Sequence, residues 1–495
     1  MRFTQNLYLV NKNQLVRLLG IIFMIEGSTM ILPLVSAALH NEHKCMIAFA
    51  VTGSVIVAAG LLIRRFVPSI DSRLRSRDGF LFVIVSMFCA ILIGAIPYLA
   101  AGYGYSFTDA WFESASGWTT TGAFVLNKRE LPFSLILWKS EMNFMGGFVM
   151  IFLTVSIFQK LGIGSQKSVA QDLPGANFEK LGNKVSDTAR ILLTVYIALA
   201  LVELTLLISQ GMTPYYALVN SLSTMSTSGI IDLSAASGSF DLTARMKFIM
   251  TIFTILASLN FVVYYLIYTR KFRLAFHNYE IKLYLIEIAA CTIAIALPLW
   301  IDGRYTAVSS IGNAFVQTVS YASTSGFTLS DINSWPTFSR TILIFLPLIG
   351  GCGFSTASGL RVHRAVILFK VVVRGFYKRI HPKSMRAVIV NGKAIPADRV
   401  ASITVLTLLY FAVLVVAAVV FSLQDLGIET SFTASLACLT NNGTGFGLVK
   451  SGSFALFSPP LRWFATFVMI AGKLELFGFF VLFSRSFWDT NRVTS

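Results

Sequence analysis

Ten stretches of this chain are long and apolar enough to cross a lipid bilayer, and no other feature confines the fold as much. They run at about 15–37, 45–63, 79–100, 132–159, 190–210, 244–269, 283–301, 339–372, 400–424 and 460–484. A hydrocarbon core about 30 Å thick takes about 20 residues of helix. Inside it, every backbone amide and carbonyl has to be bonded within the chain. The expectation is an all-α membrane protein with ten transmembrane helices. Composition agrees: 55% of the residues are hydrophobic and 13% charged, too few charges to cover a soluble protein of 495 residues. The first stretch has no small-residue cleavage site after it, so it reads as a retained helix and not as a signal peptide.

The basic residues orient the helices. With the N-terminus inside, the segments 1–17, 64–78, 160–190, 270–282, 374–399 and 485–495 hold 26 of the 40 Lys and Arg residues, and the outer connections hold nine. By the positive-inside rule both termini belong in the cytoplasm. The net charge of +17 is spread between apolar segments, not gathered in a patch, which argues against nucleic acid as a partner. Cys45, Cys89, Cys291, Cys352 and Cys438 are odd in number and lack CxxC spacing, so they read as small buried apolar residues. No HExxH, GxSxG or Walker motif appears, so neither an enzyme nor an organic cofactor is expected.

Four outer connections, near 106–122, 214–229, 309–326 and 430–443, are too apolar for loops and too short to cross. Each reads as a half-length helix that ends on a polar cluster. The clusters are Thr119-Thr120-Thr121-Gly122, Ser226-Thr227-Ser228-Gly229, Ser323-Thr324-Ser325-Gly326 and Thr440-Asn441-Asn442-Gly443. The unit is helix, half-helix, loop, helix, four times over and always on the same side, so the repeats are parallel. Their boundaries fall at 79–160, 161–270, 271–373 and 374–495, behind an N-terminal extension of 1–78.

The residue types suit a dehydrated alkali cation. Backbone carbonyls can replace its water shell, and pointing successive carbonyls at one axis demands angles that favour glycine. Hydroxyls before the glycine would add uncharged oxygen ligands, and each half-helix adds its dipole. One such cluster alone would be an ordinary helix C-cap; four in register argue for a filter around a central pore. Its lining would be Thr120, Thr121, Gly122, Thr227, Ser228, Gly229, Thr324, Ser325, Gly326, Asn441, Asn442 and Gly443.

Further local runs accompany these clusters. They are Trp111-Phe112-Glu113-Ser114, Gly211-Met212-Thr213-Pro214, Gln317-Thr318-Val319-Ser320, Leu173-Pro174-Gly175 and His381-Pro382. In their order and spacing, over nearly the whole chain, the sequence resembles the Trk/Ktr/HKT superfamily of cation transporters, specifically its bacterial Trk-type membrane subunits (TrkH/TrkG-like). The resemblance implies a potassium-conducting pore of four linked repeats with two additional N-terminal helices, in the bacterial inner membrane. It also implies a homodimer, and a cytosolic nucleotide-binding regulatory subunit (TrkA-like) that gates it. Glycine in the first filter loop goes with potassium preference in this superfamily, so Gly122 points to potassium as the transported ion.

Two constellations lie outside the loops. The eighth stretch carries Gly350, Gly351, Gly353, Ser355, Thr356 and Gly359, small residues that either break the helix or permit close helix packing. The family places an intramembrane gating loop here; this chain has Phe354, Ala357 and Ser358 where relatives usually have glycine, which predicts a stiffer or more hydrophobic loop. Lys473 lies about 20 Å into the last helix, too deep to reach the surface easily, and a charge there is usually functional. Relatives usually carry arginine at this position, projecting into the pore as barrier and latch. Glu113 either tunes the outer field or bonds nearby backbone, Lys139 and Glu141 are expected to pair, and Glu26, Glu203 and Glu287 have no assigned role. The basic loop 374–399 is the expected docking surface for the regulatory subunit. The competing function is an ion-coupled secondary transporter, which commonly has two inverted repeats around a midplane site; four parallel repeats speak against it.

Overall fold

The computed structural model describes residues 12–68, 76–127, 130–152, 185–229, 242–276, 278–303, 305–383, 387–390 and 393–480. Along the chain come α1 (Lys12–Thr29), α2 (Ile31–Leu39), α3 (His43–Phe66), α4 (Ser76–Ala100), α5 (Phe107–Trp118) and α6 (Phe133–Phe152). Then follow α7 (Val185–Ser209), α8 (Pro214–Met225), α9 (Ala244–Ser258), α10 (Phe261–Tyr268), α11 (Phe272–Phe276), α12 (Tyr279–Ile301) and α13 (Ala307–Ala322). The last are α14 (Thr337–Ile349), α15 (Val362–Ile380), α16 (Ala397–Ser422), α17 (Ile428–Leu439), α18 (Pro459–Lys473) and α19 (Phe477–Phe480). The chain is an all-α membrane protein. It departs from this in a small pair of antiparallel strands, β1 (Val388–Val390) and β2 (Lys393–Ile395), pairing Val388 with Ile395 and Val390 with Lys393.

Six spans among the described residues are long and apolar enough to cross a bilayer singly: Asn13–Leu39, α3, Leu81–Ala100, Arg190–Ser209, α12 and α16. The pair α9 and α10 makes a seventh, bent by 86° at its break. Three of the ten apolar stretches are therefore broken, two of them, 244–269 and 460–484, against the expectation of continuous helices. The 244–269 stretch stops at Ser258 because Asn260 turns its side chain onto the backbone and starts a new helix, accepting from the Val262 amide at 3.0 Å. The 339–372 stretch opens at the small-residue run, with Gly350 at φ 73° and Gly359 at φ 85°. The 460–484 stretch ends its helix at Lys473, before Glu475 and Leu476 at φ 56° and 54°. The half-helices α5, α8 and α17 have 12 residues and α13 has 16, so at 1.5 Å per residue they reach about 18–24 Å, short of a bilayer core.

The described residues gather into two units, one drawn from Met1–Ser114, Leu131–Lys139 and Leu474–Ser495, the other from Ala115–Glu130 and Ser140–Lys473. In the first, α1 and α3 meet through glycines: a Cβ on Gly60 would lie 2.6 Å from the Gly20 carbonyl oxygen, and one on Gly27 would lie 2.9 Å from that of Gly53. Small residues let helices approach where lipid offers no hydrophobic drive to associate. The Glu42 carboxylate caps the start of α6, accepting from the Phe133 amide at 2.6 Å and the Ser134 amide at 3.1 Å. Lys139, expected to pair with Glu141, forms an ion pair with Glu113 instead. Residues two apart on a helix point away from each other, and Glu113 is a fully buried acid that would be costly without a cation.

The second unit holds the half-helices in their cradles. Helix α8 packs on α7 and α9, α13 on α12 and α14, and α17 on α16 and α18. One core joins α12, α13 and α14 through Tyr284, Ile288, Leu299, Val319, Tyr321 and Leu346. A second gathers Tyr196, Met225, Phe253, Phe261 and Phe354. Outward, α12 exposes Ile286, Ile293 and Leu297, and α16 exposes Leu408, Val415 and Val419. Water would oppose such faces and hydrocarbon does not.

Candidate filter and gate

Every polar cluster sits directly at the C-terminus of its half-helix, and all four are built alike. The second residue takes the left-handed conformation, at φ 54° for Thr120, 52° for Thr227, 54° for Thr324 and 53° for Asn441. The glycine follows at φ 72°, 107°, 69° and 72° for Gly122, Gly229, Gly326 and Gly443. The amides of the second and third residues turn back onto the helix, as Thr120 to Gly117 and Thr121 to Ser116, both at 2.9 Å. The same two bonds recur as Thr227 to Thr224 and Ser228 to Ser223, Thr324 to Tyr321 and Ser325 to Ser320, Asn441 to Cys438 and Asn442 to Ala437. This is the Schellman form of a helix C-cap. The C-cap, set against a filter from the sequence, does not exclude one: the cap uses up the amides and leaves the carbonyls. Among the described residues, the main-chain carbonyls of the second and third positions accept no hydrogen bond. A β-branched residue at positive φ is uncommon and costs energy, and three of the four clusters place a threonine there.

The glycines close the four loops into a ring. A Cβ on Gly122 would fall on the carbonyl oxygen of Ser228, one on Gly326 on that of Asn442, and one on Gly443 on that of Thr121. On Gly229 it would lie 3.1 Å from the Ser325 oxygen. Each loop's glycine thus abuts the third-position carbonyl of the next loop in sequence, and the fourth returns to the first. Side chains brace the ring: the Gly229 amide donates to Ser325 Oγ at 3.1 Å, Asn441 Nδ2 to Thr121 Oγ1 at 3.0 Å, and Thr444 Oγ1 to the Gly326 carbonyl at 2.6 Å.

The hydroxyls expected as extra ion ligands have other engagements. Thr119 pairs with Thr121 at 2.7 Å and Ser226 with Ser228 at 2.9 Å, while Ser228 Oγ also donates to the Ser223 carbonyl. A capped helix end leaves its last carbonyls within reach of a short hydroxyl, so these groups stiffen the loops. Thr120, Thr121, Thr227, Ser228, Thr324, Ser325, Asn441 and Asn442 are all buried. The negative ends of four half-helices also meet at this ring. Buried, uncharged oxygens in such a field suit a desolvated monovalent cation.

Gly350, Gly351, Gly353, Ser355, Thr356 and Gly359 lie in a non-helical segment between α14 and α15, laced to the kink between α9 and α10. The Cys352 amide donates to the Ser258 carbonyl at 3.1 Å and Thr356 Oγ1 to that of Ala257 at 3.0 Å, while the Phe261 amide donates to the Phe354 carbonyl at 3.0 Å. Two broken helices thereby satisfy each other's orphaned backbone groups, as non-helical backbone at membrane depth requires. The segment also touches the ring, because the Ser358 amide donates to Thr324 Oγ1 at 2.9 Å. Lys473, 3% exposed at the end of α18, donates from Nζ to Thr120 Oγ1 at 2.6 Å and to the Thr356 carbonyl at 3.3 Å. One ammonium therefore bonds both the first loop of the ring and the segment.

One cluster escaped the sequence reading. The Glu280 carboxylate receives the Gly353 amide at 2.5 Å, Asn260 Nδ2 at 3.2 Å and His363 Nδ1 at 3.3 Å. Asn260, a lone amide in an apolar stretch, was the available signal. Leu173-Pro174-Gly175 and the expected cytoplasmic end 485–495 lie outside the described residues, and His381 closes α15 with its ring 4.7 Å from that of Tyr377.

Comparison with known proteins yields one family and one fold. The family model TrkH, described as a cation transport protein, matches residues 43–490. The Trk system potassium uptake protein TrkH of Salmonella typhimurium is 29% identical over 477 residues, covering 95% of this chain and 98% of that protein. The Trk system potassium uptake protein TrkG of Escherichia coli is 29% identical over 475 residues, covering 95% and 97%. The crystal structure of the potassium transporter TrkH from Vibrio parahaemolyticus superposes with a TM-score of 0.87 at 27% identity, covering 97% of this chain and 100% of that one.

Proposed function

The chain belongs to the TrkH family of cation transport proteins, and from that premise we propose that it takes up potassium as the membrane subunit of a Trk system. The observation that carries this reading is the closed ring of four glycine-centred loops, in which buried residues at four helix C-termini keep carbonyls otherwise unbonded. The names of the relatives supply the ion, and Gly122 in the first loop accords with it. The reading divides the pore into repeats 79–160, 161–270, 271–373 and 374–495 behind the extension 1–78. In it, Thr120, Thr121, Gly122 and their counterparts in the other three loops form the filter. Gly350, Gly351, Gly353, Ser355, Thr356, Gly359 and Lys473 form a gate beneath it. The protein would sit in the inner membrane as a homodimer with both termini in the cytoplasm, and the basic 374–399 stretch would dock a TrkA-like nucleotide-binding subunit.

Purified protein in proteoliposomes tests the central claim. Rubidium is expected to enter down its own gradient with no sodium or proton gradient imposed, and Gly326→Val is expected to abolish entry by driving a side chain into the Asn442 carbonyl. Uptake that strictly requires a sodium or proton gradient would replace the channel with an ion-coupled transporter.

A further inference from the structure

We infer that Glu280 is the positioning residue of the gate: its carboxylate pins the 350–361 segment to the helix framework and so holds the pore shut. The inference rests on the proposed gating role of that segment. Of the segment's bonds to side chains outside it, those with Thr324 and Lys473 join it to the filter and to α18. The bond from the Gly353 amide to Glu280 Oε1 joins it to the framework, at 2.5 Å. Glu280 is the second residue of α12, and its side chain is 6% exposed. Its own amide donates to Asn278 Oδ1 at 2.9 Å, which fixes the start of the helix and with it the direction of the carboxylate.

The three groups that the carboxylate receives come from three different elements. Gly353 is in the segment, His363 is in the first turn of α15 and Asn260 is in the kink between α9 and α10. Hydrogen bonds to an ionised acceptor are about twice as strong as neutral ones, and leaving such a buried group short of partners is costly. A single charge therefore couples the segment to the start of α15 and to the kink between α9 and α10. Charges of both signs lie around it: Arg361 and Arg364 act electrostatically on His363, Arg361 on Lys473, and Glu287 on Cys352 within the segment. Close fit supports the same assignment, since a Cβ on Gly353 would lie 2.9 Å from His363 Nδ1 and 3.4 Å from Glu280 Oε1. Glycine at 353 lets the backbone reach its anchor.

The test is basal rubidium flux in proteoliposomes without the regulatory subunit, read together with the rubidium-to-sodium flux ratio. Glu280→Ala is expected to raise basal flux about tenfold, the change that about 1.4 kcal/mol makes in an equilibrium. The ion ratio should not change, and Glu280→Asp should recover part of the closure. Gly353→Ala leaves both anchoring side chains in place and presses the segment off them, so it should raise flux as well; it also carries the test if Glu280→Ala fails to fold. Lys473→Ala separates the two levels of the reading. If it raises flux while the Glu280 and Gly353 variants do not, Glu280 is no anchor and the gate stands; if none raises flux, the gate itself is wrong. A rise accompanied by a collapse of the ion ratio would also overturn the inference, because it would mean that the filter had been distorted.

Discussion

At the scale of single residues, the four ring glycines make a graded prediction. Three of them would drive a Cβ into a neighbouring carbonyl, whereas at Gly229 the same atom would stop 3.1 Å short of Ser325 O. Substitution by alanine should therefore be least harmful at Gly229, where rubidium flux falls by less than at Gly122, Gly326 or Gly443. Equal losses at all four would mean that backbone strain at positive φ, and not the contact with the next loop, sets the cost. The glycines were legible because they recur in the same setting four times. The anchoring role of Glu280 was not, since its partners lie 20, 73 and 83 positions away and no local pattern links them. Lys139 was misassigned for a related reason: Glu113, its true partner, is 26 residues distant.

At the scale of elements, what the sequence conceals is where helices stop. An average over about 20 residues registers an apolar span and passes over one Asn260 or one pair of left-handed residues, so 244–269 and 460–484 read as continuous. The half-helices were placed well because turn chemistry marks both of their ends: Pro214 begins α8 and the polar cluster at Ser226 closes it. The kink after α9 yields a second prediction. Asn260→Ala removes a cap, worth about 1 kcal/mol, and a partner of a buried carboxylate, worth a further ~1 kcal/mol or more. The midpoint of thermal unfolding in detergent should drop measurably. An unchanged midpoint would show that neither bond of Asn260 contributes.

At the scale of the whole molecule, the sidedness of charge makes the prediction. The end of α15 carries Arg374, Lys378 and Arg379, and its exposed residues there include Phe376 and Ile380. Reversing these three charges to glutamate is expected to abolish co-purification of the nucleotide-binding subunit while leaving basal rubidium flux measurable. Complex formation that survives the reversal would remove this stretch from the docking surface. All-helical architecture could be read from hydropathy because the bilayer imposes a length on every span. The strand pair Val388–Val390 and Lys393–Ile395 could not, because six residues of ordinary β pattern carry no such constraint.

The closed ring of four loops has a consequence for how such a pore can change over time. Most oligomeric assemblies repeat one sequence by symmetry, so a single codon altered in a homotetrameric channel alters every quadrant of its filter together. Here the quadrants are spelled out separately, and the fourth already reads Asn-Asn where the others carry Ser or Thr. A mutation therefore touches one quarter of the ring and is answered by three unaltered neighbours. That allows preference among ions to drift in small increments, each of which leaves a working pore behind it.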